Sequence, residues 1–178
     1  MLAVPASSRP TPDNLAPPRG PHVVFLVRLV SFWCLGFLIV ALVPSVERVA
    51  IRGTLATLLP VLRAAFADVR QVVNQVSANG VTLEIVSDCT PLVGIVLLSG
   101  AILAYPSSAP LKLVGLAAGW AVLWIYDIAR ITALIVVLAR WPGAFDLTHI
   151  YLWQTCTIAV VVGLFLLWTR LVSRGAPA

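Results

Sequence analysis

Residues 111–139 read LKLVGLAAGWAVLWIYDIARITALIVVLA, and this run decides what kind of protein the chain forms. As a helix at about 1.5 Å per residue it is about 43 Å long, whereas a bilayer core of about 30 Å needs about 20 residues. Its only charged residues are Lys112, Asp127 and Arg130. The run therefore predicts a transmembrane helix that extends beyond the bilayer core.

The composition of the whole chain also indicates a membrane protein. Of its 178 residues, 60% are apolar and 11% are charged, and the mean hydropathy is +1.00. Soluble domains are about 45–50% apolar and about 25% charged, and a globule of this size could not bury so much apolar surface. The net charge of +5 comes mainly from scattered arginines, a pattern typical of membrane anchoring and not of a nucleic-acid-binding surface.

The chain offers little for metal or cofactor chemistry. Its three cysteines (Cys34, Cys89 and Cys156) form no CxxC pair, and its two histidines (His22 and His149) form no HExxH motif. No glycine-rich phosphate loop is present. We therefore expect no metal and no cofactor, and we expect neither a metalloenzyme nor a nucleotide-dependent enzyme.

Three further apolar runs predict an all-α polytopic membrane protein with about four transmembrane helices. The second run is short, so we expect its helix to begin at Thr90 as N-cap, with Pro91 in the first helical position. Residues 1–21 are rich in proline and predict a disordered tail, and residues 173–178 form a second tail. The predicted spans are residues 22–43, about 92–105, 111–139 and about 149–169.

Residues 45–88 form a different kind of segment between the first two spans. From Val49 to Val76, apolar residues recur at three- and four-residue steps with charged residues between them, which predicts an amphipathic helix. Asn79-Gly80 indicates a turn, and residues 81–86 alternate like a short strand that leads to Cys89. We expect residues 48–76 to cover the part of the third span that overruns the bilayer.

The lengths of the predicted spans place three residues with reactive or charged side chains at the same face of the membrane. Arg130 follows Lys112 by 18 residues, about 27 Å along a helix, and so reaches the opposite surface. Cys89 opens the second span and His149 opens the fourth, both at that same surface. A thiol nucleophile, an oxyanion-stabilising cation and a general acid/base are the groups required for acyl transfer through a thioester.

The surroundings of these residues refine the expectation. Cys89 stands at a helix start, where water reaches the thiol and the helix dipole favours thiolate, while Cys34 and Cys156 lie inside spans. Asp127 lies three residues before Arg130 on the same helical face and can pair with it. Two other functions remain open: a non-catalytic membrane scaffold, and an intramembrane aspartyl peptidase that uses Asp88 and Asp127.

The pattern resembles the exosortase/archaeosortase family of polytopic membrane cysteine transpeptidases, and most of all the small exosortase H type. The resemblance covers roughly residues 80–172 and rests on Cys89, on Arg130 in the run DIARI, and on His149 in the run THIYLWQ. Two positions depart from the family pattern. Asp127 stands where asparagine is common, and Thr90-Pro91 stand where a small residue and glycine usually follow the cysteine.

The resemblance implies a function and an orientation that charge counting leaves open, since basic residues divide equally between the two sides. Residues 89–172 would form a catalytic core of three transmembrane helices in the inner membrane, facing outside the cytoplasm, with both tails inside. Cys89, Arg130 and His149 would be catalytic and Asp127 supporting. The substrates would be secreted proteins ending in a sorting signal, made of a short motif, a transmembrane helix and a basic tail.

Overall fold

The computed structural model describes residues 20–174, and five helices make up most of this part of the chain. The predicted N-terminal tail lies outside the described residues except for Gly20 and Pro21, and Pro21 already begins the first helix. Of the predicted C-terminal tail, residues 175–178 lie outside them as well. The helices are α1 (Pro21–Leu42), α2 (Pro44–Ala65), α3 (Leu92–Ala104), α4 (Ala109–Arg140) and α5 (Trp153–Arg174).

Within residues 20–174, three helical stretches are long and apolar enough to cross a membrane: His22–Leu42, Ala109–Arg140 and Pro142–Arg174. By helix length and composition the chain is therefore a membrane protein. The predicted second span matches α3 closely, but α3 has only 13 residues, about 20 Å at 1.5 Å per residue, and is not among these three stretches. It ends at Ala104 because Tyr105 precedes Pro106 and takes the extended backbone that a following proline favours.

Tryptophans lying over glycines hold the apolar helices together. On α3, Gly100 leaves room for the indole of Trp33 on α1, and Trp33 Nε1 donates a hydrogen bond of 2.9 Å to the carbonyl of Leu97. On α4, Gly115 leaves room for Trp168 of α5 in the same way. A Cβ at either glycine would overlap the ring, so these glycines allow the close approach of the helices.

The amphipathic helix α2 packs on the end of α4, as the sequence predicts. Its buried residues recur at three- and four-residue steps, and the three leucines among them share one apolar cluster with Ile131 and Ile135 of α4. These two α4 residues belong to the stretch that overruns a bilayer core. The prediction that α2 covers this stretch is therefore confirmed. The buried residues of α2 are Ala50, Thr54, Leu55, Leu58 and Leu62.

The predicted amphipathic helix is too long, because α2 ends at Ala65 and a small sheet follows. Strands β1 (Arg70–Val72), β2 (Gln75–Ala78) and β3 (Val81–Glu84) pair in antiparallel fashion in the order β1-β2-β3. The spacing of the valines in this region also fits a helix, but β-branched residues favour strands. Asn79 and Gly80 both adopt positive φ and form the tight turn that the sequence indicates. The fold is thus mostly helical and includes a three-stranded sheet, of which the sequence predicted only β3.

The packing of α2 on α4 can be tested by crosslinking in a variant without the native cysteines. We expect Thr57→Cys with Trp124→Cys to crosslink through a short bismaleimide, because Trp124 Nε1 of α4 donates a hydrogen bond of 3.0 Å to Thr57 Oγ1 of α2 and Thr57 is exposed. The matched control is Thr57→Cys with Leu113→Cys, which lies 11 residues before Trp124 on α4, about 17 Å away along the helix. Equal crosslinking of both pairs on a denaturing gel would contradict this packing.

Candidate active site

A short 3₁₀ turn, Ser87–Cys89, connects the sheet to α3. The backbone N–H of Cys89 donates to the carbonyl of Val86 at 2.9 Å, and the N–H of Thr90 donates to the carbonyl of Ser87 at 3.0 Å. The hydroxyl of Thr90 donates to the same Ser87 carbonyl at 2.6 Å. Thr90 is therefore not the N-cap that the sequence predicts, because its side chain stabilises the turn, and α3 begins only at Leu92.

Arg130 fastens this turn to α4. Its Nη2 donates a hydrogen bond of 2.9 Å to the backbone carbonyl of Asp88 and forms an ion pair of 2.9 Å with Asp127 Oδ1. The predicted pairing of Asp127 with Arg130 is thus confirmed. Both side chains are largely buried, with 11% and 4% of their surfaces exposed. A buried charge pair of this kind is stable only when its remaining hydrogen-bonding groups also find partners.

His149 lies in a π-helical segment, Leu147–Leu152, that runs directly into α5. The sequence places this residue at the start of the last span, but helical structure already begins at Pro142, so His149 is not at a helix start. Its ring stacks on that of Phe145, with centroids 5.4 Å apart and planes inclined by 7°. Stacking fixes the plane of the imidazole, and π-helical turns occur frequently at functional sites.

A cavity of about 320 Å³ lies between the Cys89 turn, α3, α4 and the helical stretch that carries His149. Arg130 and Asp127 lie on its α4 side, His149 lies on its α5 side, and Asp88 and Thr90 border it on either side of Cys89. The predicted convergence of Arg130 and His149 is therefore confirmed. The remaining lining residues come from α3, α4 and the last helical stretch: Pro91, Val93, Gly94, Leu97, Leu123, Tyr126, Ile150, Gln154, Thr157 and Ile158.

The thiol of Cys89 points away from this cavity. Cys89 is 3% exposed, and its Sγ lies 3.8 Å from the carbonyl of Glu84, within the apolar cluster formed by α2, the sheet and α4. The expectation of a water-reachable thiol is wrong, because the turn directs this side chain into the core. Burial also raises the pKa of the Cys89 thiol, although a backbone hydrogen bond at Val86 and the charge of Arg130 oppose that shift. The expected helix-start thiolate is thus not favoured.

Two buried atoms of the Asp127–Arg130 pair have no hydrogen-bond partner among residues 20–174. They are the donor Arg130 Nε and the acceptor Asp127 Oδ2. Buried polar groups are nearly always paired in native proteins, so each exception calls for an explanation. Because both residues line the cavity, both atoms are candidates for contact with a bound molecule.

Sequence reasoning missed three polar residues of the cavity wall: Tyr126, Gln154 and Thr157. The hydroxyl of Tyr126 lies 3.3 Å from Thr157 Oγ1 and donates to the carbonyl of Trp153 at 3.4 Å. A signal was available, because Tyr126 precedes Arg130 by four residues and therefore lies on the same side of α4. Within residues 20–174, no three His, Cys, Asp or Glu side chains come together as a metal site.

The chain was compared with models of protein families, with curated proteins and with solved structures, and it matches none of them. The fold and site define a helical membrane protein with a cavity at the junction of α3, α4 and α5 that polar and apolar residues line together.

The burial of Cys89 predicts a slow thiol. In a variant without Cys34 and Cys156, we expect a water-soluble maleimide to react with Cys89 at least about tenfold more slowly at neutral pH than with an ordinary exposed cysteine, because little thiolate forms there. The rate should rise as the pH increases through and above the usual thiol pKa of about 8.5. Labelling followed by intact mass measures both rates.

The control for this experiment is Val73→Cys in a chain without the native cysteines, since Val73 is 82% exposed at the tip of the β1–β2 turn. Equal reaction rates at the two positions would contradict the buried placement of Cys89.

Proposed function

We propose that this protein is a membrane cysteine protease or transpeptidase that cleaves C-terminal sorting signals of secreted proteins through a thioester on Cys89. One observation carries the proposal: the buried Arg130 Nε donor has no partner among the described residues, and it belongs to a cavity that His149 shares. The turn that carries Cys89 forms one wall of that cavity. An unpartnered donor in a cavity that also contains a base, next to the turn that carries a thiol, suits a reaction in which negative charge develops on a carbonyl oxygen.

In the proposed reaction, the Cys89 thiol loses its proton to His149 and its sulfur attacks the scissile carbonyl. The carbonyl oxygen becomes an oxyanion and accepts a hydrogen bond from Arg130 Nε. When the peptide C–N bond breaks, His149 gives its proton to the leaving amine, and a thioester remains on Cys89. Water or an amine then attacks the thioester, the C–S bond breaks, and the thiol is restored.

This mechanism requires the thiol to turn from the Glu84 carbonyl towards the cavity. The backbone around Cys89 already forms the wall, since Asp88 and Thr90 line the cavity on either side. Rotation about χ1 exchanges one staggered well for another and needs no change of the backbone. Arg130 lies close enough for its charge to lower the pKa of the Cys89 thiol. Substrate binding that turns this side chain into the cavity would therefore expose and activate the thiol together.

The position in the membrane is part of the proposal. The protein is a multi-pass protein of the inner membrane, with the short helix α3 completing a fourth crossing and the cavity on the extracytoplasmic face. A substrate would lie with its transmembrane helix in the bilayer and its polar motif at the cavity. The exposed lining residues Val93, Ile150 and Ile158 give this cavity an apolar rim, suited to a segment that arrives from lipid.

A non-catalytic scaffold is the second candidate, and the burial of Cys89 favours it. In a scaffold the thiol serves as a small packing group, and the Asp127–Arg130 pair only fixes α4 against the turn. The two functions differ in what a cysteine substitution does. Replacing a packing group changes stability, whereas replacing a nucleophile removes a reaction.

We expect Cys89→Ala and His149→Ala each to abolish processing of a C-terminal signal in the host, while the variant still accumulates in the membrane. Arg130→Lys should lower processing by roughly 10²–10³-fold, the usual effect of losing one oxyanion donor, because an ammonium lacks the guanidinium fork. Pulse-chase analysis of a tagged substrate measures the processed fraction.

The matched control is Cys156→Ala, a cysteine of α5 that does not line the cavity, which should process at the native rate. Full processing by Cys89→Ala would reject the nucleophile and leave the scaffold as the better account.

A further inference from the structure

The second carboxylate oxygen of Asp127 is the least satisfied acceptor in the cavity wall. Asp127 is 3% exposed, its Oδ1 is engaged by Arg130, and its Oδ2 has no hydrogen-bond partner among residues 20–174. Asp127 lines the cavity while Oδ2 itself lies buried in the wall, so a bound molecule contacts this oxygen after a small rotation of the carboxylate about χ2. The mechanism above uses the Arg130 donor and leaves the Asp127 acceptor without a role.

The acceptors around the cavity favour a hydrogen-rich partner over an anion. The wall carries the carboxyl groups of Asp88 and Asp127 and one guanidinium, that of Arg130, whose Nη2 is already engaged by the Asp88 carbonyl and by Asp127 Oδ1. Tyr126 and Gln154 add further oxygen acceptors to the wall. An amino group supplies two or three N–H donors, whereas an alcohol supplies one donor and a carboxylate none.

We propose that Asp127 Oδ2 accepts a hydrogen bond from a primary amine and that the cavity is the binding site for the amine that receives the acyl group. The role in acyl transfer rests on the proposed function, whereas the binding of an amine does not. Asp127 thereby acts as a specificity residue that favours an amine over water in the second half of the reaction.

The chemical step balances with the groups already named. An ammonium first releases one proton to solvent, and the neutral amine is held by Asp127 Oδ2. Its nitrogen attacks the thioester carbon, a C–N bond forms, and the C–S bond breaks. The proton lost by the nitrogen passes to His149 and from there to the Cys89 thiolate, so the products are an amide and the free thiol.

Asp127→Asn tests this role with almost no change in shape. The asparagine keeps one oxygen for Arg130 and places an NH₂ donor where Oδ2 was, so an amine meets a donor instead of an acceptor. The matched control is Asp146→Asn. Asp146 is an exposed carboxylate near the same cavity, and it does not line it.

The binding experiment uses the full chain in lipid nanodiscs and a primary butylamine that carries a photoreactive diazirine. We expect saturable labelling of the peptides from α4 or α5 that line the cavity. The Asp146→Asn variant should be labelled to the same extent as the native chain. In Asp127→Asn, labelling should fall at least about tenfold, the size expected for losing a hydrogen bond to a charged group. On the native chain, unlabelled n-butylamine should displace the probe and n-butanol should not.

A second measurement follows the products formed in the presence of n-butylamine, and the ratio of butylamide to free acid should fall in Asp127→Asn. Equal labelling of Asp127→Asn and the native chain, or equal displacement by n-butanol, would overturn the amine site. Loss of labelling in Asp127→Asn combined with no processing by the native chain would support the amine site and reject the proposed function.

Discussion

The guanidinium of Arg130 connects the parts of this molecule that matter for function. Its Nη2 holds the Asp88 carbonyl of the turn and the Asp127 carboxylate of its own helix. An arginine inside an apolar helix costs about 2.5–3.5 kcal/mol on insertion scales, and these two contacts offset part of that cost. As a consequence, the Cys89 turn is fixed to α4, and a cavity forms between this turn, α4 and the segment that carries His149.

The covering of α4 by α2 and the sheet has two opposite effects on this site. It gives the outer part of α4 an apolar partner, so that Ile131 and Ile135 are buried by protein. The same cluster includes Cys89, which is why the thiol lies behind the cavity wall. The packing that organises the cavity therefore also keeps the proposed nucleophile out of it. In the proposed enzyme, substrate binding must weaken a few contacts of this cluster before chemistry begins, which protects the thiol until a substrate arrives.

The sequence predicted what depends on helical spacing and missed what depends on tertiary packing. The length of α4 predicted that Arg130 lies at the same end of the helices as His149. The three-residue spacing of Asp127 and Arg130 predicted their ion pair. The valines after Ala65 also fit helical spacing, so the sequence predicted a helix where β1 and β2 lie. These two strands are defined by their pairing in the sheet, which no local spacing reveals. The direction of the Cys89 side chain could not be predicted either, because it is decided by contacts with α2 and the sheet. The function itself stays a proposal from the resemblance and the cavity.

The central claim is that Cys89 forms a covalent acyl intermediate beside Arg130. The most direct test is the intact mass of the purified protein after brief mixing with a substrate that carries the sorting signal, followed by an acid quench that stops attack by amines and water. The account predicts an added mass equal to the acyl fragment, located on Cys89 by peptide mapping and released by hydroxylamine. Cleavage of the substrate with no adduct on Cys89 at any time, or an adduct on another residue, would contradict it.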